Sequence, residues 1–279
     1  MNDTFRYVSV SGGKDSTACY IWAIKEFGKD GFRAVFADTT HEHPVTVNYV
    51  KNMHEIFNGP KVEIVKADFS ERLKKKGKKE SELGEKFQDL IVWKGRAPST
   101  KAQFCTEHLK MKPIRDWIVK NRGDLPSVGY VGIRWEESKR RSEMPREFIN
   151  EYMDSLTIHP IIDWTECQVK KYVTDHGELN PLYDDGFSRV GCFPCIHARK
   201  REIGQLPQWA WDRLERYEKA VGRSWFPSGI LPKTKGTGHI PKLEEVRAWS
   251  KTKWGGKELD ESIEETEITA CMSTWGQCE

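Results

Sequence analysis

Tyr7-Val8-Ser9-Val10-Ser11-Gly12-Gly13-Lys14-Asp15-Ser16-Thr17 is the stretch from which the fold can be read. Tyr7 to Val10 form a short β-type run that ends in two glycines. A helical run follows at once, with Ala18, Ile21, Trp22 and Ile24 offering an apolar face. Glycines between a strand and a helix let the backbone approach a ligand closely, and a helix start directs N–H groups at it. Lys14 supplies a point charge, Ser11, Ser16 and Thr17 supply hydroxyl donors, and Asp15 is a candidate ligand for Mg²⁺. Together these predict a phosphate site.

Outward from that stretch, Arg33-Ala34-Val35-Phe36-Ala37 reads as a second buried strand ending at Asp38-Thr39. A helix then opens at His43-Pro44 and runs to about Phe57, with Val47, Val50, Met53 and Ile56 as its apolar series. Val62 to Val65 form a third strand. Val128 to Ile133 form another, which delivers Arg134 and then Glu136, Glu137, Ser138, Arg140 and Arg141. Strands alternating with helices predict an α/β doubly wound parallel sheet, in which ligands bind beyond the carboxyl ends of the strands. Asp38 and the opening loop then share one rim.

Three regions are expected. Residues 1–155 form the nucleotide-binding α/β domain, with 70–99 as a helical insertion or lid. Residues 156–254 form a mainly helical, cysteine-bearing region, and 255–279 an acidic tail containing Cys271 and Cys278. The 279 residues, 37% apolar and 31% charged, suit a soluble protein with a real core. No apolar run of membrane-spanning length and no signal-peptide pattern occurs, so the expectation is a cytoplasmic protein without a membrane partner. The net charge of +3 does not by itself imply a nucleic-acid partner. The run Arg72, Lys74, Lys75, Lys76, Lys78, Lys79 reads either as solvated surface or as a polyanion-binding patch.

Seven cysteines in a reducing compartment point to metal or chemistry more than to disulfides. Cys19 and Cys167 fall in amphipathic helical patterns and read as core or incidental. Gly191-Cys192-Phe193-Pro194-Cys195 has a spacing that suits a knuckle for Zn²⁺ or an iron–sulfur cluster, or a redox dithiol.

The opening loop is not a Walker A sequence, because Val8 and Asp15 stand where a glycine and a Ser or Thr are required. Ser11-Gly12-Gly13-Lys14-Asp15-Ser16 instead resembles the PP-loop of the N-type ATP pyrophosphatases, which split ATP between its α and β phosphates. Further pieces follow in order: Phe36-Ala37-Asp38-Thr39, Cys105-Thr106-Glu107-His108-Leu109-Lys110 with Pro113, and Gly132-Ile133-Arg134 with Glu137-Ser138. His159-Pro160-Ile161 with Asp163-Trp164, Pro181-Leu182-Tyr183 and the Cys192/Cys195 pair complete the series. The set, over roughly residues 5–250, resembles the phosphoadenylyl sulfate (PAPS) reductase family, and within it the phage and bacterial members related to the DNA phosphorothioation sulfurtransferase.

The resemblance implies an adenine-nucleotide α-hydrolase-like, Rossmann-like fold. It implies that ATP–Mg²⁺ binds through Ser11, Gly12, Gly13, Lys14, Asp15, Ser16 and Thr17, with Asp38, Thr39, Gly132 and Arg134 also at the nucleotide. Asp15, with Asp38, would hold Mg²⁺. Lys110, Arg134 and Arg140 are candidates to neutralise the α-phosphate or the acceptor. Cys105, Cys192 and Cys195 match ligand positions of cluster-bearing relatives, with Cys278, or Cys271 in its place, as the fourth. A [4Fe–4S] cluster is the preferred occupant and Zn²⁺ the alternative.

The chain departs from true PAPS reductases in two places. It keeps the whole pyrophosphate loop, and it ends Gly276-Gln277-Cys278-Glu279 in place of their Glu-Cys-Gly-type segment. Both favour ATP cleavage to AMP and pyrophosphate, adenylating an acceptor such as DNA or tRNA for sulfur transfer. A cysteine desulfurase is the expected kind of sulfur donor. The alternatives are reduction of phosphoadenylyl sulfate to sulfite, and a non-catalytic nucleotide- and nucleic-acid-binding accessory with a structural zinc.

Overall fold

The computed structural model describes residues 4–252, and Cys271 and Cys278 lie outside that range. The described chain divides into two compact units, 4–67 with 104–193 and 68–103 with 194–252. Strands and helices are numbered along the chain.

The first unit holds the sheet: β1 (Phe5–Val10), β2 (Arg33–Ala37), β3 (Val62–Val65), β4 (Ser127–Val131), β5 (Glu147–Asn150) and β6 (Ser155–Ile158). Their order is β3-β2-β1-β4-β6-β5, parallel throughout except for the antiparallel edge strand β5. Strand side chains alternate between faces, and the two cores follow that period. Val8 and Val10 of β1, with Ala34 and Phe36 of β2, pack on Tyr20, Val50, Met53, Val169 and Val173. These come from α1 (Lys14–Phe27), α2 (Pro44–Ile56) and α6 (Glu166–Thr174). Phe5 and Tyr7, with Val35 and Ala37, face the other way onto Ile114, Trp117 and Ile118 of α5 (Lys112–Arg122). Side chains of this size each contribute about 1.5–3 kcal/mol when fully buried.

Sheet order reverses between β1 and β4, so the crevice beyond their carboxyl ends is where this architecture accepts ligands. The expected α/β parallel sheet is present. The boundary expected at residue 155 instead falls on the first residue of β6, and the α/β unit continues to 193.

The second unit is helical. Residues 70–99 are part of it, contributing α3 (Ser70–Lys74) and α4 (Lys86–Lys94) beside α7 (Lys200–Gly204), α8 (Gln208–Val221) and α9 (Leu243–Ser250). Ala210, Trp211, Leu214 and Tyr217 give α8 one buried face. Phe87 of α4 stacks on Tyr217 at 5.9 Å and meets Trp225 at 5.5 Å. Glu85 is buried beside Arg213 and Arg216, its Oε1 2.9 Å from an Arg216 nitrogen.

Candidate nucleotide site

β1 ends at Val10 and α1 begins at Lys14, leaving Ser11-Gly12-Gly13 as the turn. Gly12 sits at φ 82°, and a Cβ there would come within 2.8 Å of Thr46 Cγ2. Position 12 therefore requires glycine for its backbone and for its neighbour. Gly13 is the N-cap of α1, and no side chain caps the helix, so its positive end faces the turn.

Hydroxyls expected to meet phosphate also shape the loop. Ser16 Oγ donates to the Gly13 carbonyl at 3.0 Å and accepts the Ser11 N–H at 3.1 Å, with Ser11 Oγ at 3.0 Å. Thr17 is buried in the first turn of α1.

Asp15 is fully buried. Its Oδ1 accepts from Arg134 Nε, and its Oδ2 lies 3.5 Å from Lys14 Nζ. Arg134 enters from the end of β4 and is itself only 2% exposed. Its second arm donates to Glu136 Oε2 at 2.7 Å, an oxygen that also receives the Glu166 N–H at 2.6 Å. Gly132 makes this approach possible, because a Cβ there would lie 2.3 Å from the Asp15 carbonyl oxygen. Charged hydrogen bonds of this kind hold both partners in one orientation. Arg140 is exposed, while its neighbour Arg141 is buried and paired with Glu137.

Two residues to which the sequence gives no role close over the turn. Asn180 Nδ2 donates to the Gly12 carbonyl at 3.1 Å and lies 3.3 Å from Thr46 Oγ1. The Tyr183 hydroxyl accepts the Lys14 N–H at 3.0 Å, and Lys14 Nζ lies 5.6 Å from the Tyr183 ring centre.

Beside the turn is a pocket whose lining includes Ser11, Ser16, Ala37, Glu42, Lys110 and Gly191. Lys110 rides on a wide helical turn, Thr106–Met111, that leads into α5. Glu42 was not singled out by the sequence. It is buried, and it accepts the Thr39 N–H at 3.0 Å and the Thr39 hydroxyl at 2.8 Å. Burial pushes its carboxyl up to about 7; Lys110 opposes that rise and Asp38 adds to it. Cys192 reaches the same place, its Sγ 3.8 Å from Glu42 Oε1 and 3.8 Å from Thr39 Oγ1.

The carboxylates expected to hold Mg²⁺ also meet cations and N–H groups of the protein. Both oxygens of Asp15 face cations of the protein. Asp38 accepts the Thr40 N–H on one oxygen at 2.8 Å and pairs with Lys66 on the other at 2.9 Å. Asp38 thus has both oxygens engaged by protein groups, and Asp15 has Oδ1 engaged by Arg134. Among the described residues no group of three or more His, Cys, Asp or Glu side chains is placed to hold a metal. Of the cysteines expected as ligands, Cys105 and Cys192 belong to the first unit and Cys195 to the second, and Cys271 and Cys278 fall outside the described residues. Cys19 is buried in α1 and Cys167 is exposed.

A family model described as phosphoadenosine phosphosulfate reductase domain matches residues 6–198. The chain belongs to that family.

It is 34% identical to an uncharacterised 37.8 kDa protein of Escherichia phage 186, over 99% of this chain and 97% of the phage protein. It is 29% identical to an adenosine 5'-phosphosulfate reductase of Streptomyces coelicolor, over 64% of this chain and 68% of that one. Among solved structures it is similar to a phosphoadenylyl-sulfate reductase of Candida auris in a phosphate complex. That match has a TM-score of 0.46 and 21% identity, over 70% of this chain and 83% of the other. Family members with these names are enzymes that act on sulfur-bearing nucleotides. No helix among the described residues is long and apolar enough to cross a membrane.

Proposed function

We propose that this family member binds ATP, with its Mg²⁺ as part of the substrate, and splits it into AMP and pyrophosphate to adenylate an acceptor for sulfur transfer. The observation that carries this reading is the complete Ser-Gly-Gly-Lys-Asp-Ser loop at the sheet's switch point, with Lys14 and Arg134 oriented by one buried aspartate. The β and γ phosphates would lie at the positive end of α1, beside Lys14. An acceptor oxygen attacks the α-phosphorus as the bond to the β-phosphate breaks, and pyrophosphate leaves with the bonding electrons. Charge develops on the leaving group, where Lys14 and the helix start stabilise it without reorganising. Lys110, buried on the pocket wall, supports a role at the α-phosphate. The adenylate is then displaced by a sulfur donor, releasing AMP.

A second reading is reduction of a sulfonucleotide, favoured by the adenosine 5'-phosphosulfate reductase among the relatives. The two readings separate by product. Incubation with ATP should release AMP and pyrophosphate, whereas sulfite released from adenylyl or phosphoadenylyl sulfate would favour reduction. Lys14→Ala should slow pyrophosphate release by about 10²–10³-fold. Wild-type rates in that variant would remove the loop from the chemistry.

A further inference from the structure

The second unit treats its cations in two ways. Lys86 pairs with Glu80 and Asp89, and Arg213 and Arg216 pair with Glu85. Lys74, Lys75, Lys76, Lys78 and Lys79 are all exposed, and among the described residues none of them is ion-paired with a carboxylate. The run is nevertheless held in an ordered turn. The N–H groups of Lys76 and Lys78 both donate to the Leu73 carbonyl at 2.9 Å, Gly77 donates to the Lys74 carbonyl at 3.0 Å, and Gly77 adopts φ 62°.

Beneath the turn, Leu73 and Phe69 are buried, and Phe69 lies 6.0 Å from Trp93. Trp93 organises the adjoining charges. The Arg72 guanidinium lies 4.6 Å and Lys94 Nζ 4.2 Å from its ring, and Lys76 Nζ donates to its carbonyl at 2.8 Å. An aromatic ring between cations fixes their positions through its quadrupole.

From this we infer that the turn at 74–79, with Arg72 and Lys94, is a docking surface for the phosphodiester backbone of a nucleic-acid duplex. Five like charges within six residues repel one another inside a Debye length, and a dense polyanion relieves that repulsion. A duplex offers one negative charge per about 1.7 Å of axis, the density that such a tight cluster complements. A single strand is the poorer match, because strand-binding proteins use open aromatic platforms and Trp93 is already engaged by two cations. An anionic lipid surface is also the poorer match. Surface-lying segments insert an apolar face, and here Phe69 and Leu73 point into the unit. The surface stands independently of the adenylation reading, since it uses none of the residues of the phosphate loop.

The test uses the full chain and a fluorescein-labelled 24-base-pair DNA duplex, read by anisotropy from low to moderate salt. Replacing Lys74, Lys75, Lys76, Lys78 and Lys79 together by alanine should weaken binding by at least about 100-fold at low salt. The slope of log affinity against log salt should become shallower by about 0.9 for each phosphate that is no longer neutralised. The same five positions changed to arginine should retain binding, which controls for folding. ATP cleavage measured without duplex should match wild type in the alanine variant, so failure here is distinguishable from failure of the adenylation reading. Unchanged affinity and slope in the alanine variant would overturn the inference. So would tighter wild-type binding to poly(dT) or to phosphatidylserine vesicles than to the duplex.

Discussion

Two clusters of cations, one in each unit, place positive charge in opposite ways. In the α/β unit Lys14, Lys110 and Arg134 are buried, and Lys14 and Arg134 meet one fully buried carboxylate. In the helical unit five lysines stand exposed on one turn and, among the described residues, pair with no carboxylate. Buried, paired cations are shielded from salt and fixed in direction, which suits a small anion that must be held in one pose. Exposed cations are screened, act at longer range and tolerate many poses, which suits a large anion that must only be found. The position of a charge, more than its number, separates the two tasks.

That contrast can be broken most severely at Arg134. Arg134→Ala removes the guanidinium that meets Oδ1 of the buried Asp15, with Lys14 more distant, and should cost about 3–5 kcal/mol of stability in urea unfolding. A loss below about 1 kcal/mol would mean that Asp15 is hydrated in solution and the pair is not the anchor of the loop. Adding Asp15→Asn to that variant should recover part of the loss.

Glu42 sharpens the contrast through pH. Its carboxyl titrates near 7 in the folded chain against about 4.5 when unfolded, so between these values the native state holds the extra proton. Stability must therefore fall as pH rises through that window, by on the order of 2–3 kcal/mol from this group. Glu42→Gln should flatten the pH profile of unfolding free energy there. If both proteins show the same slope from pH 4.5 to 7, the buried, protonated carboxyl is wrong.

The smallest effect is expected on the exposed side. Lys75→Ala should change stability by less than about 0.5 kcal/mol at any salt concentration. A larger loss would show that the lysine turn is structural and would erase the distinction between the units.

Much of the α/β unit was legible because its signals are local. Arg33–Ala37 is a continuous apolar run and is β2 as expected. The second helix opens at Pro44 because His43 accepts the Val45 N–H as N-cap and proline suits the first helical position. The strands β5 and β6 were not foreseen: each is four residues long, and Ser155 and Thr157 interrupt any apolar run in β6. The site was legible in its residue types and not in its pairings. Asp15 and Arg134 are 119 positions apart, and no local pattern announces that the two side chains meet. Glu42 gains its character from burial, which no local pattern announces; its backbone is bridged to Cys192, 150 positions away. Arg140 was the candidate in the sequence, yet it is exposed while Arg141 beside it is buried, a distinction that only packing makes.

The hydrogen bonds from Asn180 to Gly12 and from Lys14 to Tyr183 span 168 and 169 positions. During synthesis the turn at Ser11–Gly13 precedes its closing contacts, which arrive only when residue 183 has followed. The turn is thus made well before it is completed, and a nascent chain stopped before Asn180 carries the motif without its clasp.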